Sequence, residues 1–230
     1  MIVYITQGER TSLAAAAVEG LPVWHMTVGQ GYFARRRAAA QLRHLYGGGV
    51  RRGAFETETL AALAEKCGIG PVPVLPLRLA VLEQLLDALC GAELRGGSVD
   101  LRVGPGGEAA GRRAAAALAR RVRYIRLADG DPAGLTGLLM ENWGISPGSG
   151  GLPAALTVCT GYDAPETEGR TLYLTEDCAR VQAVTYEPSG LPEPLLAALV
   201  DSGRWLPSQI RVASVVSLLD IRRENHYNAT

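Results

Sequence analysis

Two glycine-rich turns are the segments of this sequence whose residue types and spacing could bind a ligand. Gly29–Gly31 (GQG) and Gly104–Gly107 (GPGG) each begin a match to the spacing G-x-G-x-x-A, which ends at Ala34 and Ala109 respectively. One glycine permits a tight turn, and another lets the backbone approach a phosphate at the N-terminus of the next helix. A chain with 28 glycines shows about one such match by chance, so spacing alone does not assign a ligand.

The second turn has further features that fit a nucleotide. Asp129 follows the next predicted strand, where an acidic residue can accept hydrogen bonds from a ribose hydroxyl, and Arg126 could instead pair with a 2′-phosphate. Against this, Glu108 would compete with an anion, and it also stabilises the start of a helix without any ligand. An ordinary structural turn is therefore the alternative. The candidate ligand-binding residues are Gly104, Gly106, Gly107 and Asp129.

Other side chains that support catalysis are sparse. Lys66 is the only lysine, so a Schiff-base or P-loop mechanism would have to use it. The four cysteines and three histidines are scattered, which predicts neither a metal site nor a disulfide framework. His25 lies within a predicted strand and is either a general base or a hydrogen-bonded structural histidine. The sequence identifies no catalytic residue and no cofactor.

The arginines are distributed unevenly. Arg35–Arg37 lie near the start of a predicted helix, where the helix dipole disfavours cations, which indicates an anion or an acidic partner nearby. Arginines 112, 113, 120 and 121 point in different directions around their helix and fit a solvated face. The chain has 23 basic and 23 acidic residues, a balance that argues against a strong general attraction to nucleic acid.

Composition favours a globular protein with an aliphatic core. Of the 230 residues, 47% are hydrophobic and only 6% aromatic, which suits helices packed on a parallel sheet. The N-terminus has no basic leader, and no apolar run approaches the roughly 20 residues of a bilayer span. We therefore expect a cytoplasmic protein that does not bind membranes.

The elements that would position these residues alternate between strands and helices. Residues 99–127 form the clearest unit, a strand, the GPGG turn, a helix and a second strand, which predicts a parallel sheet with right-handed crossovers. The apolar stripe Leu79, Leu82, Leu86 and Leu89 should be buried, with Glu83 and Asp87 exposed. The other predicted strands are 2–6, 21–28, 156–160, 171–175 and 181–186. The other predicted helices are 14–18, 33–46, 56–67, 77–90, a helix that opens at residues 129–132 and runs to 143, and 193–202.

These elements predict an α/β fold of three layers with a mostly parallel central sheet, which is Rossmann-like. We expect residues 1–91 to form a helix-rich N-terminal α/β half and residues 97–221 a Rossmann-like C-terminal half, folding separately or as one domain. Residues 144–153 should be a loop or hinge, and residues 222–230 a polar tail.

Two functions fit the sequence. The sparse supply of histidine, lysine and paired catalytic groups slightly favours a non-catalytic structural or regulatory interaction module with a protein partner. The two glycine turns instead favour a Rossmann-like binder of a nucleotide or another phosphorylated small molecule, either as an enzyme or as a simple binder.

Overall fold

A computed structural model describes residues 1–94, 97–128, 130–131, 134–148, 154–161, 170–176, 178–188 and 190–217. Within these residues the chain forms strands and helices in alternation, with a mostly parallel sheet in each of two compact units. The fold is three-layered α/β and Rossmann-like, as predicted. The first unit takes the described residues of Met1–Leu77 and Ser189–Gln209, and the second those of Arg78–Pro188 and Ile210–Thr230.

The helices and strands follow in chain order. In the first part of the chain they are β1 (Ile2–Gln7), β2 (Ser12–Val18), β3 (Leu21–Val28), α1 (Tyr32–Gly47), β4 (Arg52–Phe55), α2 (Glu58–Glu65), β5 (Gly70–Pro71), α3 (Leu75–Ala80) and α4 (Leu82–Cys90). Further on they are β6 (Ser98–Val103), α5 (Glu108–Ala119), β7 (Tyr124–Leu127), α6 (Leu135–Trp143), β8 (Leu156–Thr160), β9 (Thr171–Leu174), α7 (Cys178–Val181), β10 (Gln182–Glu187), α8 (Glu193–Asp201) and β11 (Arg211–Ser217).

The sheet of the first unit has the strand order β2-β3-β1-β4-β5. Strand β1 pairs in parallel with β3 and with β4, whereas β2 pairs with β3 in an antiparallel hairpin. After β1 the chain passes to the β2 side of the sheet, and after β3 it returns through α1 to β4. The connections of β1 and β3 thus leave in opposite directions, which makes their carboxyl ends a switch point of the topology.

Helices cover both faces of this sheet. Side chains alternate along β1, so Val3 and Ile5 pack in a cluster with Leu42 of α1 and Leu60 of α2. On the opposite face, Val23 and Ala54 pack with Leu195 of α8 and with the half-buried Ile2 and Tyr4. The first unit is therefore a helix–sheet–helix sandwich.

The second unit contains an all-parallel sheet of order β7-β6-β8-β9 and an antiparallel pair formed by β10 and β11. Helix α5 packs on the four-stranded sheet, and the chain passes from β7 across β6 to β8, so strand order reverses at β6.

The buried Arg78 donates hydrogen bonds to the carbonyl oxygens of Tyr173, Cys178 and Gln182. The four cysteines all lie in the described part of the chain, where they are buried and form no disulfide.

The predicted helix at 14–18 was wrong, since Ser12–Val18 is strand β2. Glu19 and Gly20 both have positive φ, at 48° and 75°, as the two-residue turn of a β-hairpin requires. This turn holds the alanine-rich segment against β3, and strand pairing outweighs the helix propensity of alanine.

The predicted helix 77–90 is interrupted at Val81, which has non-helical angles and separates α3 from α4. Leu82 and Leu86 are buried and Glu83 and Asp87 are exposed, as predicted, whereas Leu79 and Leu89 are only half-buried.

The two compact units divide between Leu77 and Arg78, whereas the sequence pattern predicts a division between residues 91 and 97. Helix α4 packs within the second unit because Gln84 bonds to Ile210 and Val212 and Asp87 pairs with Arg121. The tail expected at 222–230 lies outside the described residues, as do residues 149–153 of the expected loop.

Candidate functional site

The Gly104–Gly107 turn joins strand β6 to the N-terminus of helix α5. Gly106 has a φ of 76°, a conformation that L side chains rarely adopt. The Gly107 N–H donates to the Gly104 oxygen at 3.0 Å, and the Gly104 N–H donates to the oxygen of Thr160 at 2.8 Å. The predicted strand–turn–helix is confirmed, and one glycine of its turn has a positive φ.

The glycines of this turn also permit close backbone packing. A β-carbon on Gly107 would lie 2.4 Å from the Gly161 nitrogen, and one on Gly161 would lie 2.5 Å from the Gly104 oxygen. Gly161 directly follows β8, so this contact lies at the carboxyl ends of β6 and β8, where strand order reverses. Backbone atoms of Gly161 therefore occupy space beside the turn, and packing by itself explains why residue 107 is glycine.

Two of the polar residues near this turn have structural partners. The Arg126 guanidinium donates to Asp100 at 2.5 Å, and this hydrogen bond raises the pKa of Arg126. Asp131 accepts hydrogen bonds from the N–H groups of Leu135 and Thr136 at the start of α6. Burial acts to raise the pKa of Asp131, but these hydrogen bonds outweigh it and lower the pKa. Asp129, the predicted ribose-binding residue, lies outside the described residues.

The Gly29–Gly31 turn joins β3 to α1. It differs from the Gly104–Gly107 turn because the space beside one of its glycines is open. Gly29 packs closely, since a β-carbon there would lie 3.0 Å from the Glu9 oxygen. Its N–H donates to the hydroxyl of Thr11 at 3.1 Å. Gly31 has a φ of 95°, and no atom lies within 4 Å of its β-carbon position. Gly31 is therefore glycine for its conformation, and the space beside it is open.

The start of α1 lacks the features that normally neutralise a helix N-terminus. Its N-cap residue, Gly31, supplies no side-chain hydrogen bond, and the first turn contains no acidic residue. Helix α2, in contrast, is capped by the Thr57 hydroxyl and has Glu58 in its first turn. The first N–H groups of any α-helix have no acceptor within the helix. Those of α1 are thus available to an anion, with the positive end of the helix dipole behind them.

An open cleft of about 520 Å³ lies at this position, lined by Gln7, Gly8, Glu9 and Gln30. Gln7 ends β1 and Gln30 belongs to the turn after β3, so the cleft lies at the switch point of the first sheet. Its polar groups are two side-chain amides and one carboxylate. The glycine spacing predicts the turn, but no sequence signal indicates Gln7 and Glu9, because their place beside the turn follows from the pairing of β1 with β3.

His25 belongs to a polar cluster on one face of the first sheet, the face that carries Val23 and Ala54. Its Nε2 lies 3.0 Å from the Thr6 hydroxyl, and its ring stacks on Tyr4 with 5.3 Å between centroids. Burial, with the nearby Glu56 carboxylate, raises the pKa of Tyr4. His25 lies on the face of Val23 and Thr27, as the alternation along β3 predicted. These contacts favour the structural interpretation of His25.

Within the described ranges, no group of three or more His, Cys, Asp or Glu residues comes together to hold a metal ion. No helix in those ranges has the length and apolar character of a membrane span. The chain matches no protein-family model and no curated protein sequence.

Proposed function

We propose that this protein binds a nucleotide or another phosphorylated small molecule at the start of α1, with the phosphate facing the Gly29–Gly31 turn. The observation that carries the proposal is the uncapped N-terminus of α1, which opens beside a cleft at the switch point of a parallel sheet. Such clefts are where open α/β sheets bind ligands.

The surrounding side chains support a ligand of this chemistry. Arg35 is exposed in the second turn of α1, and long side chains on a helix lean towards its N-terminus, so its guanidinium can reach a phosphate there. The amides of Gln7 and Gln30 can donate hydrogen bonds to phosphate oxygens. Glu9 also lines the cleft, and its carboxylate can accept hydrogen bonds from hydroxyl groups, such as those of a ribose.

The alternative position for the ligand is the Gly104–Gly107 turn with Asp129. Three features make it the weaker candidate: Gly161 packs against the turn, Glu108 lies in the first turn of α5, and the Arg126 guanidinium is held by Asp100. Each of these is explained by the fold without a ligand.

A thermal-shift screen with NAD, NADP, ATP, GTP and S-adenosylmethionine tests the proposal. A ligand present at 100 times its Kd should stabilise the protein by about 2.7 kcal/mol. Gln30→Ala and Arg35→Ala should then weaken binding. Arg113→Ala removes an exposed arginine from α5 and should leave binding unchanged. Loss of binding in Asp129→Ala alone would instead place the ligand at the second turn, and no shift with any compound would contradict the proposal.

A second candidate function is a non-catalytic interaction module, as the sequence slightly favours. One observation supports it: the rings of Tyr32 and Phe33 on α1 are 72% and 81% exposed. Large apolar side chains grouped on a surface are typical of binding sites for macromolecules. Competition between an acidic peptide and an oligonucleotide for this surface tests this candidate separately from the nucleotide screen.

A further inference from the structure

The solvent-facing side of α1 carries two parallel rows of side chains. Residues four and eleven apart on a helix lie on the same side, so Tyr32, Arg36 and Arg43 form one row, and Phe33, Arg37 and His44 the other. All six are exposed. The opposite side of the helix faces the core through Ala38, Leu42 and Leu45. Each outer row therefore starts with an aromatic ring and continues with basic residues over about 16 Å of helix.

The two aromatic rings are placed to stack on a flat partner. Tyr32 and Phe33 meet edge to face, with 5.6 Å between centroids and 77° between planes. Because both side chains are largely exposed, their outer faces are open. Aromatic rings of this kind are the platforms on which unpaired nucleic-acid bases stack, whatever the base.

The arginines of the two rows are not neutralised by the fold. Helix α1 contains no acidic residue, and Arg36, Arg37 and Arg43 make no hydrogen bond or ion pair in the described part of the chain. At the end of the helix, Arg51 lies over the ring of Tyr46 at 3.8 Å and extends the basic surface. A chain with zero net charge thus concentrates unpaired positive charge on one helix.

We propose that this outer side of α1 binds single-stranded nucleic acid, with bases stacked on Tyr32 and Phe33 and phosphates paired with Arg36, Arg37 and Arg43. The inference rests on the second candidate function, the interaction module, and is independent of the cleft. Guanidinium groups pair with phosphates and also stack on rings. A base pair in a duplex cannot offer its face to a protein ring, so the exposed aromatic pair favours a single strand.

Other anionic partners fit this surface less well. A membrane-binding helix inserts an apolar face, but the aliphatic side of α1 is buried in the core, and its exposed large apolar side chains are the aromatic rings of Tyr32, Phe33 and Tyr46. An acidic peptide would pair with the arginines, but its carboxylate side chains would not stack on the two aromatic rings. A single-stranded polynucleotide can use both parts of this surface, because its bases stack on the rings and its phosphates pair with the arginines.

Fluorescence anisotropy with a labelled oligo-dT of about 12 nucleotides tests the inference, at ionic strengths from about 50 to 200 mM. Three phosphate contacts predict a slope of log K against log salt of about −2. Arg36→Ala combined with Arg43→Ala should reduce affinity about tenfold or more at low salt and bring the slope to about −0.7. Phe33→Ala should reduce affinity by about 5-fold to 100-fold with the slope unchanged, and Phe33→Trp should preserve binding.

The matched controls lie on exposed residues of α5 and β7 and of the loop between them. Arg113→Ala combined with Arg123→Ala removes the same charge, and Tyr124→Ala removes an exposed ring; both should leave affinity unchanged. Equal effects of control and α1 variants would overturn the inference, as would equal affinity for a duplex of the same length.

Two further outcomes separate this inference from the interaction module. If a polyglutamate peptide displaced the oligonucleotide as well as unlabelled oligo-dT did, the inference would fail while an interaction module for acidic partners would stand. If neither oligonucleotide nor peptide bound, the inference would fail, and so would an interaction module that binds anionic partners through α1.

Discussion

Gly107 and Gly161 lie in direct backbone contact, so that a β-carbon on Gly107 would fall 2.4 Å from the Gly161 nitrogen. The contact joins the start of α5 to the end of β8 across the point where strand order reverses. A glycine-rich turn at such a point is commonly interpreted as a phosphate-binding site. Here the missing β-carbon makes room for the protein's own backbone, which is why we propose the more open turn before α1 as the ligand site.

Gly107→Ala should therefore destabilise the fold by about 3 kcal/mol or more, because the clashing atoms are backbone and no rotamer change relieves them. The matched control is Gly137→Ala in α6, where no atom lies within 4 Å of the β-carbon position. That change should be neutral or stabilising by up to about 1 kcal/mol. Urea denaturation of both variants measures the difference, and similar stabilities would refute the packing role of Gly107.

Leu82→Ala and Leu86→Ala should each cost about 2–5 kcal/mol, because both side chains are buried and truncation leaves a cavity. Leu89→Ala, at a half-buried position of the same helix, should cost less than either. The free energy of unfolding from chemical denaturation provides the measurement. Losses below about 0.5 kcal/mol at both buried positions would show that α4 does not belong to the core.

Asp131 should make stability depend on pH at the acid end. Hydrogen bonds to its carboxylate lower its pKa in the folded state, so it stabilises the protein above its unfolded pKa of about 3.9. That contribution is lost as pH falls through the lower folded pKa. Asp131→Ala should cost about 0.5–1 kcal/mol at pH 7, a low value because the carboxylate is exposed. Denaturation near pH 7 and at successively lower pH checks this, and an undiminished difference in strong acid would contradict it.

The sequence predicted the long, strongly patterned elements well. Strands β3 and β8 have the predicted bounds, and β6, the GPGG turn, α5 and β7 follow one another as predicted for residues 99–127. Strands β4 and β5, of four and two residues, carry too little periodicity to be seen. The helix predicted at 14–18 was wrong because the pairing of β2 with β3, which the turn at Glu19 and Gly20 sets, outweighed the local helix propensity.

The candidate site was only half visible in the sequence. Gly29–Gly31 was identified by spacing, and Arg35–Arg37 by their position against the helix dipole. Gln7 and Glu9 join them only because β1 pairs in register with β3, a long-range relationship that one sequence does not reveal. The sequence does not predict the exposure of Tyr32 and Phe33 either, because aromatic residues in a helix are more often buried in the core.

The most direct measurement of the proposed site is an amide NMR titration with the compound that gives the largest shift in the thermal screen. A phosphate at the start of α1 should move the amide signals of Gln30, Gly31, Tyr32 and Phe33 most, because their N–H groups surround the bound anion. The largest changes should stop within the first two turns of the helix. If the largest changes appear instead at Gly104–Gly107, or if the Gln30–Phe33 amides do not move at saturation, the site at α1 is contradicted.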